Sequence, residues 1–526
     1  MNIYLIGIIV SMVVYLAVGM YAGKKVKNTD DYYVAGRRAP AILIVGSLVA
    51  SFLSTGAFLG DTGEVYSGFF IPIVIVGVMQ GTGYLFGSTT FGRYVRRSEA
   101  LTISEYFGKR FNDKKMTKLA GAITIVAVTA YMLSAMQGIS TLMESITGLD
   151  YSVCVVIAWF TFAVFTIWSG SSGVLITDTI MFLVFLAAAI IGIPFIVENA
   201  GGWNFAIGNL ANSSTTPGII SAGGNLGYLY PTAGENITWA VTYGIVWALV
   251  VMISPWQTSR YLMAKDEKTV LKSAVYSSAA VILITTLLYF AAAFIQSINP
   301  DLVPSQNMVW AAMNLMPKIV GVILLTGILA AGISSASTFL SLIGFSLSND
   351  ILDAKNFPVK KQLTISRVGM LAASILVLVL AYFNPPQIFW IMYFGGTVIA
   401  SSWAVVAISS IWSKKLSSLG AFLGMLFGFL GCAVVKGYSA LTHTTLPMYL
   451  DPFFVGIAMS IIGVVVGSII KKPSEQEIEE YNKLHMEKED IGNMKKYGIG
   501  YVVFGIVFLV LMLFAYAIPY MNAVAK

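Results

Sequence analysis

The chain is 526 residues long, 57% of them hydrophobic and only 11% charged, with a mean hydropathy of +0.80. Soluble domains carry about 25% charged residues, so this composition excludes an ordinary soluble fold and points to a polytopic membrane protein. The formal net charge is +7, but the positions of the basic residues, described below, tie it to membrane topology and exclude a nucleic-acid partner.

Apolar runs of roughly 20 residues, each enough to cross a hydrocarbon core about 30 Å thick, recur along the chain. They predict spans at 2–23, 40–68, 70–93, 117–147, 152–170, 174–198, 235–259, 267–297, 310–346, 364–384, 387–411, 418–436, 452–471 and 498–521. Lipid offers no partner to a free backbone group, so these runs must be helices. The expectation is one all-α polytopic domain, 1–526, with about 14 transmembrane helices. The first span is not expected to be a cleaved signal peptide. It lacks a basic leading region, and its positive charges, Lys24, Lys25 and Lys27, follow it.

With the N-terminus outside, segments 24–38, 93–118, 260–272, 355–367, 414–415 and 471–496 are cytoplasmic and contain 29 of the 32 Lys and Arg. Lys318, Lys436 and Lys526 fall elsewhere. This is the positive-inside asymmetry, and the charge serves the anionic inner leaflet of the lipid bilayer. Two of these segments, 93–118 and 471–497, read as solvated charged faces. Ser474 and Glu477 have capping-box spacing for a surface helix. The outer segment 199–234, rich in Gly, Asn, Ser and Pro, reads as a loop lid.

Cys154 and Cys432 both lie in apolar spans, which leaves no disulfide framework or thiolate metal site. His443 and His485 are far apart, and no G-x-x-x-x-G-K-[ST] motif is present, so neither zinc chemistry nor direct ATP hydrolysis is expected.

Two spans are interrupted. The second packs Gly46, Ser47, Ser51, Ser54, Thr55 and Gly56 into mid-membrane, and the seventh carries Ser254-Pro255-Trp256-Gln257, where the proline removes a backbone donor. They stand five spans apart. Paired breaks at corresponding places point to an inverted-repeat transporter with its site at the midplane; either break alone would be ordinary membrane-helix packing.

Residues Ala330 to Thr338 read Ala-Ala-Gly-Ile-Ser-Ser-Ala-Ser-Thr within the ninth span. Ala331, Ser334, Ser335 and Thr338 follow i, i+3, i+4, i+7 spacing and share one helix face. Hard oxygens suit a small hard cation. A carbonyl at Ala331 in a loosened turn and the hydroxyls of Ser334 and Ser335 would supply three ligands, and the broken second span would add carbonyls near Ala50 and Leu53. The same hydroxyls would also serve close packing by bonding back to i−4 carbonyls. Asp178 opens the sixth span; with Ser337 and Thr338 it would form a second cation site, whereas as a helix N-cap it would need no ligand. Asp61, Glu64 and Glu144 lie nearer the outer half, as gate groups or at the interface.

The chain resembles the sodium:solute symporters, which include proline, pantothenate, sialic acid, galactose, glucose and choline carriers. The marks are Asp31-Tyr32-Tyr33-Val34-Ala35-Gly36-Arg37-Arg38, Ile103-Ser104-Glu105-Tyr106-Phe107-Gly108-Lys109-Arg110, the Thr177-Asp178 pair, and Ala330–Thr338, in that order among fourteen spans. The resemblance implies a leucine-transporter-like inverted repeat of five plus five helices. An extra N-terminal helix (2–23) would precede the first repeat (40–198) and second repeat (235–411), and additional C-terminal helices (418–521) would follow. It maps a main sodium site to Ala50, Leu53, Ala331, Ser334 and Ser335, and a second one, found in some members, to Asp178, Ser334, Ser337 and Thr338. By rough alignment the solute site falls on Gln80, Ser254, Trp256, Gln257 and Tyr393. Proline carriers place an Asp where this chain has Phe52, and the sugar carriers' polar set is largely missing at Ala57 and Gly77. Choline carriers share a similar Pro-Trp-Gln; Trp256 would hold a quaternary ammonium by cation–π attraction or act as an apolar gate. No Lys or Arg is expected at the midplane.

The expectation is a secondary active transporter, not an enzyme. It would couple Na+ to the uptake of a small polar organic solute (amino acid, carboxylate, vitamin or quaternary amine) by alternating access. It would sit in a prokaryotic cell membrane and function as a monomer. A rival is a solute sensor or transceptor signalling through 472–497, although that tail is short for a signalling domain. A passive channel is disfavoured by the paired breaks.

Overall fold

The computed structural model describes residues 2–23, 29–214, 218–227, 229–354, 357–383, 387–444, 446–487 and 491–525. Lys24, Lys25, Lys27 and Lys526 lie outside them. Among the described residues the chain is helical without a strand, as a backbone surrounded by lipid requires. Among the described residues eleven helices are long and apolar enough to cross a membrane, and a bent helix pair makes up to a twelfth span.

The principal helices are α1 (Ile3–Gly23), α2 (Ala41–Phe52), α3 (Gly56–Tyr66), α4 (Phe70–Arg97), α5 (Ile103–Arg110), α6 (Lys114–Thr147), α7 (Tyr151–Asn199), α8 (Trp203–Ala211) and α9 (Ala233–Ile253). They continue with α10 (Pro255–Met263), α11 (Glu267–Ile298), α12 (Lys318–Ile351), α13 (Val359–Phe383), α14 (Ile388–Trp412), α15 (Ser418–Thr442), α16 (Pro452–Ile470), α17 (Glu475–His485) and α18 (Lys495–Val524). The predicted fifth and sixth spans share the 49-residue helix α7, whose backbone stays helical where a boundary was expected near 170–174. A straight helix of that length would measure about 74 Å.

The site is built where α12 lies between α6 and α7, with α2 against α7 and α11. Two glycines set these approaches. A Cβ on Gly46 would sit 2.8 Å from the Thr179 Cα, so only glycine lets α2 reach α7 beside Asp178. A Cβ on Gly332 of α12 would sit 2.8 Å from Cγ2 of Thr55, the residue at the α2–α3 break.

Two loop expectations are corrected. Segment 199–234 contains the helix α8, whose Trp203 packs on Phe290 and Phe294 at ring distances of 4.7 and 5.1 Å and donates Nε1–H to the Ala515 carbonyl (2.6 Å). Its later part is tied over the α3–α4 turn, where the Asn225 amide donates to Gly68 O (2.7 Å). The charged segments 93–118 and 471–497 are not simply solvated. Arg97 forms a buried pair with Glu267 and donates Nη1 to Leu484 O (2.9 Å). Arg110 donates to the carbonyls of Ser410 (2.7 Å) and Glu477 (2.9 Å). Ser474 caps α17, but the Glu477 carboxylate turns inward to the Ser418 amide (3.1 Å). Guanidinium groups that find carbonyls and carboxylates at the ends of several helices are worth more to the fold than to the solvent.

Candidate functional site

Both predicted breaks are present. Helix α2 ends at Phe52 and α3 starts at Gly56, with a bend of 46°. The Ser54 amide donates to Phe52 O (2.8 Å) and the Ala57 amide to Ser54 O (3.1 Å). In a continuous helix these donors would have served Ala50 and Leu53, so the turn releases both carbonyls from their i+4 partners. In the seventh span α9 ends at Ile253, Ser254 is extended (φ −61°, ψ 146°), and Pro255 opens α10. Proline suits the first helical position because its missing N–H would have had no partner there.

Across from the first break, Ser335 on α12 donates its hydroxyl to the Ser51 carbonyl at 3.5 Å. Ala50, Leu53, Ala331, Ser334 and Ser335 are all buried completely. Helix α12 is unbroken through Ala331, so the loosened turn expected there is absent and that carbonyl keeps its helical geometry. Ser334 faces elsewhere: its hydroxyl donates to Asp178 Oδ1 at 2.6 Å. Ser335 thus meets the Ser51 carbonyl beside the break, while Ser334 joins the neighbouring acid.

Asp178 lies inside α7, fully buried, and does not serve as a helix N-cap. Besides Ser334 it accepts from Ser47 (2.5 Å) and from Arg260 Nη2 (3.2 Å). Arg260 also donates to Ser47 through Nε (2.9 Å) and to the Thr338 hydroxyl (2.5 Å). Ser337 bonds back to the Ser334 carbonyl (2.9 Å), the packing alternative weighed for this cluster. Arg260, which the sequence reading kept out of the site, is buried beside Asp178. Counted with the cytoplasmic charges, it is 2% exposed, because α10 continues inward from the proline break and Arg260 is one turn beyond Trp256. That i+4 spacing was the signal available in the sequence, as Ser47 was within the small-residue run of the second span.

Of the residues assigned to the solute, four lie together in the buried centre. Gln257 accepts from the Tyr84 hydroxyl (3.1 Å) and donates to Ser51 (3.5 Å), joining the two breaks. Trp256 packs edge-on against Tyr131 (5.3 Å) and Phe339 (5.9 Å). Among the described residues Ser254 Oγ and Trp256 Nε1 are buried without a hydrogen bond, an arrangement that native interiors avoid unless another group uses those atoms, and the Gln80 side chain reaches Tyr289. Tyr393 stands apart: its ring stacks on Tyr243 (4.4 Å), but its hydroxyl turns outward to Asp451 (3.3 Å). Tyr84, whose hydroxyl also donates to Leu48 O (3.1 Å), was not expected; nothing in its spacing distinguishes it from a core aromatic.

Broken helices facing each other across a buried set of oxygens and unpaired donors define an ion-coupled membrane carrier. The chain matches the sodium:solute symporter family over residues 32–428. It is 24% identical over 495 residues to the sodium/pantothenate symporter of Haemophilus influenzae, covering 90% of this chain and 98% of that one. It is likewise 24% identical over 490 residues to the sodium/proline symporter of the same organism, covering 88% and 94%. A solved structure of a Na+-coupled sialic acid symporter in an outward-open, substrate-bound state superposes with a TM-score of 0.75 at 16% identity, covering 90% of this chain and 99% of the other. MHP1, a nucleobase-cation-symport-1 family transporter, gives 0.52 at 12% identity, covering 87% and 99%. The chain belongs to the sodium:solute symporter family. It is a multi-pass membrane transporter and not an enzyme, and sodium is its co-transported ion.

Proposed function

We propose that this protein imports a small polar organic solute on an inward sodium gradient by alternating access. The observation that carries the reading is the α2–α3 turn itself, which releases the carbonyls of Ala50 and Leu53 while the Ser335 hydroxyl of α12 bonds the neighbouring Ser51 carbonyl. Sodium held by Ala50, Leu53, Ala331, Ser334 and Ser335 would tie α2 to α12. For Ser334 to join, its hydroxyl would leave Asp178. Solute would bind among Gln80, Ser254, Trp256 and Gln257, with Tyr393 in the outer wall. Linkage requires sodium to raise solute affinity by the same factor as solute raises sodium affinity. In the conformation described here the set Asp178, Ser337 and Thr338 has its positive charge from Arg260, so a second sodium would enter only when the guanidinium moves away.

Fourteen helices arranged as 2–23, repeats 40–198 and 235–411, and 418–521 accord with the two breaks, each near the start of its repeat. The distribution of Lys and Arg supports an outer N-terminus, and a monomer is sufficient for the proposed cycle. Pantothenate, proline and sialic acid, named for the relatives, are all small polar organic molecules, which supports the solute class. Those relatives are carriers, which does not favour a sensor.

Proteoliposome uptake with and without a sodium gradient tests the reading. Solute accumulation should require sodium, and Ser335→Ala should raise the sodium concentration needed by at least tenfold, on the order of one lost hydrogen-bonding ligand to a charge. Accumulation indifferent to sodium would remove the symport claim.

A further inference from the structure

Asp61 plays no part in the sodium sites described above, yet it is an acid in the second span buried to 9% exposure. It lies at the end of the first turn and a half of α3, just outside the break. Its carboxylate accepts from the Tyr289 hydroxyl of α11 at 2.8 Å. Among the described residues it forms no ion pair with Lys, Arg or His. Arg260, buried beside Asp178, is committed to Asp178, Ser47 and Thr338. The chain therefore buries a carboxylate with a neutral donor and no counter-charge. Intramembrane acids are expensive, and a protein that keeps one gives it a partner.

Asp61 faces the centre of the molecule. Tyr289 lies against α4 at Gly77, where a Cβ would come within 2.9 Å of its ring. Gln80, whose side chain reaches the Tyr289 hydroxyl, follows Gly77 by three residues on the same face of α4. Tyr84, one turn further, packs against Phe52 (6.1 Å), and Phe52 packs against Trp247 of α9 (6.2 Å). Asp61 is thus joined through Tyr289 to the face of α4 that carries Gln80 and Tyr84, and Tyr84, Phe52 and Trp247 form an aromatic wall beyond it. The residues flanking Asp61, Gly60 and Glu64, line a cavity of about 220 Å³ together with Gln387 and no Lys or Arg.

The geometry points to Asp61 as the counter-charge for a positively charged nitrogen of the transported solute, and so to an organic ammonium compound as the substrate class. This rests on the symport reading and narrows it. A carboxylate supplies the charge, Tyr289 orients it, and the aromatic wall receives the alkyl groups around the nitrogen by cation–π and apolar contact. An anionic solute would instead place negative charge against Asp61 with no free cation to receive it.

The test is a thermal-shift measurement on the purified full chain in sodium and in potassium chloride. One probe set carries a positive nitrogen (choline, putrescine, L-proline) and another carries none (pantothenate, acetate, glucose). At least one member of the first set should stabilise the wild type, and more strongly in sodium. Asp61→Asn should weaken that binding by on the order of a hundredfold, as expected when one partner of a buried charge pair is removed. Its stabilisation by sodium alone should persist, showing that the variant is folded. Asp61→Glu, which keeps the charge, should retain measurable binding. The proposal is overturned if the ammonium set leaves the wild type unmoved, if only the second set binds, or if Asp61→Asn binds an ammonium probe as the wild type does. Sodium-dependent binding of the second set alone would leave symport standing; absence of any sodium effect on the wild type would instead remove symport itself.

Discussion

Removing either Arg260 or Asp178 should damage the protein far more than removing both. Arg260→Met leaves the Asp178 carboxylate with the hydroxyls of Ser47 (2.5 Å) and Ser334 (2.6 Å) but no positive charge. Asp178→Leu leaves a guanidinium with only the hydroxyls of Ser47, Ser259 and Thr338 as acceptors. Both residues are buried, so each single change strands a charge at a cost of about 3–5 kcal/mol. The double variant strands none. It loses hydrogen bonds of roughly 1 kcal/mol each but replaces the pair with apolar volume, so its net cost should fall to about 0–2 kcal/mol. The coupling across the cycle should therefore exceed about 3 kcal/mol, far outside the roughly 0.5 kcal/mol scatter of independent sites. Reversible unfolding in mixed micelles measures all four proteins. Additive single effects would refute the view that Arg260 supplies the charge Asp178 needs. The same samples give a second readout. Arg260→Met frees Asp178, Ser334, Ser337 and Thr338 for an ion, so its stability should rise more steeply with sodium than that of the wild type, by about 2.7 kcal/mol at a hundred times the dissociation constant. An unchanged sodium slope would show that these oxygens do not take up a cation when the guanidinium is gone.

Three further outcomes follow from the packing and from the Arg97–Glu267 pair. Gly332→Ala places a methyl 2.6 Å from Ile139 and 2.8 Å from Thr55; overpacking of this kind should cost about 1–3 kcal/mol and disturb the α2–α3 turn. It is read as lower melting temperature together with weaker sodium stabilisation, and normal sodium stabilisation would separate Thr55 from the ion site. Trp256→Ala opens a cavity between Tyr131 and Phe339 and should cost about 3–5 kcal/mol, measured by micelle unfolding; a neutral result would mean that the neighbouring aromatics close the space. Glu267→Ala strands Arg97 and should loosen α17, whose Leu484 carbonyl the same guanidinium holds. Faster proteolysis of the 475–485 segment checks this, and unchanged cleavage would show that α17 docks without Arg97.

The chain's own residues determined the membrane class, because lipid requires long apolar runs with satisfied backbones, and those runs are visible without any tertiary contact. The two breaks were also legible: Pro255 cannot donate, and the Gly, Ser and Thr run around Gly56 cannot hold a straight helix as firmly as its neighbours. The i, i+3, i+4, i+7 hydroxyls on α12 were legible too, since helical periodicity alone places them on one face. Their division of labour was not. Ser335 meets the first break whereas Ser334 meets Asp178, and this depends on how close α7 comes to α2, a distance set by Gly46 against Thr179. Arg260 shows the limit most clearly. A charge beside a cytoplasmic loop reads as topology, and only the inward path of α10 from Pro255 carries it to Asp178. The same is true of Asp61, whose lack of a cationic partner is a fact about what α4, α9 and α11 bring to its surroundings. Local sequence specifies which helices form and where they fail; which charges meet across them is decided by the approach of segments distant along the chain.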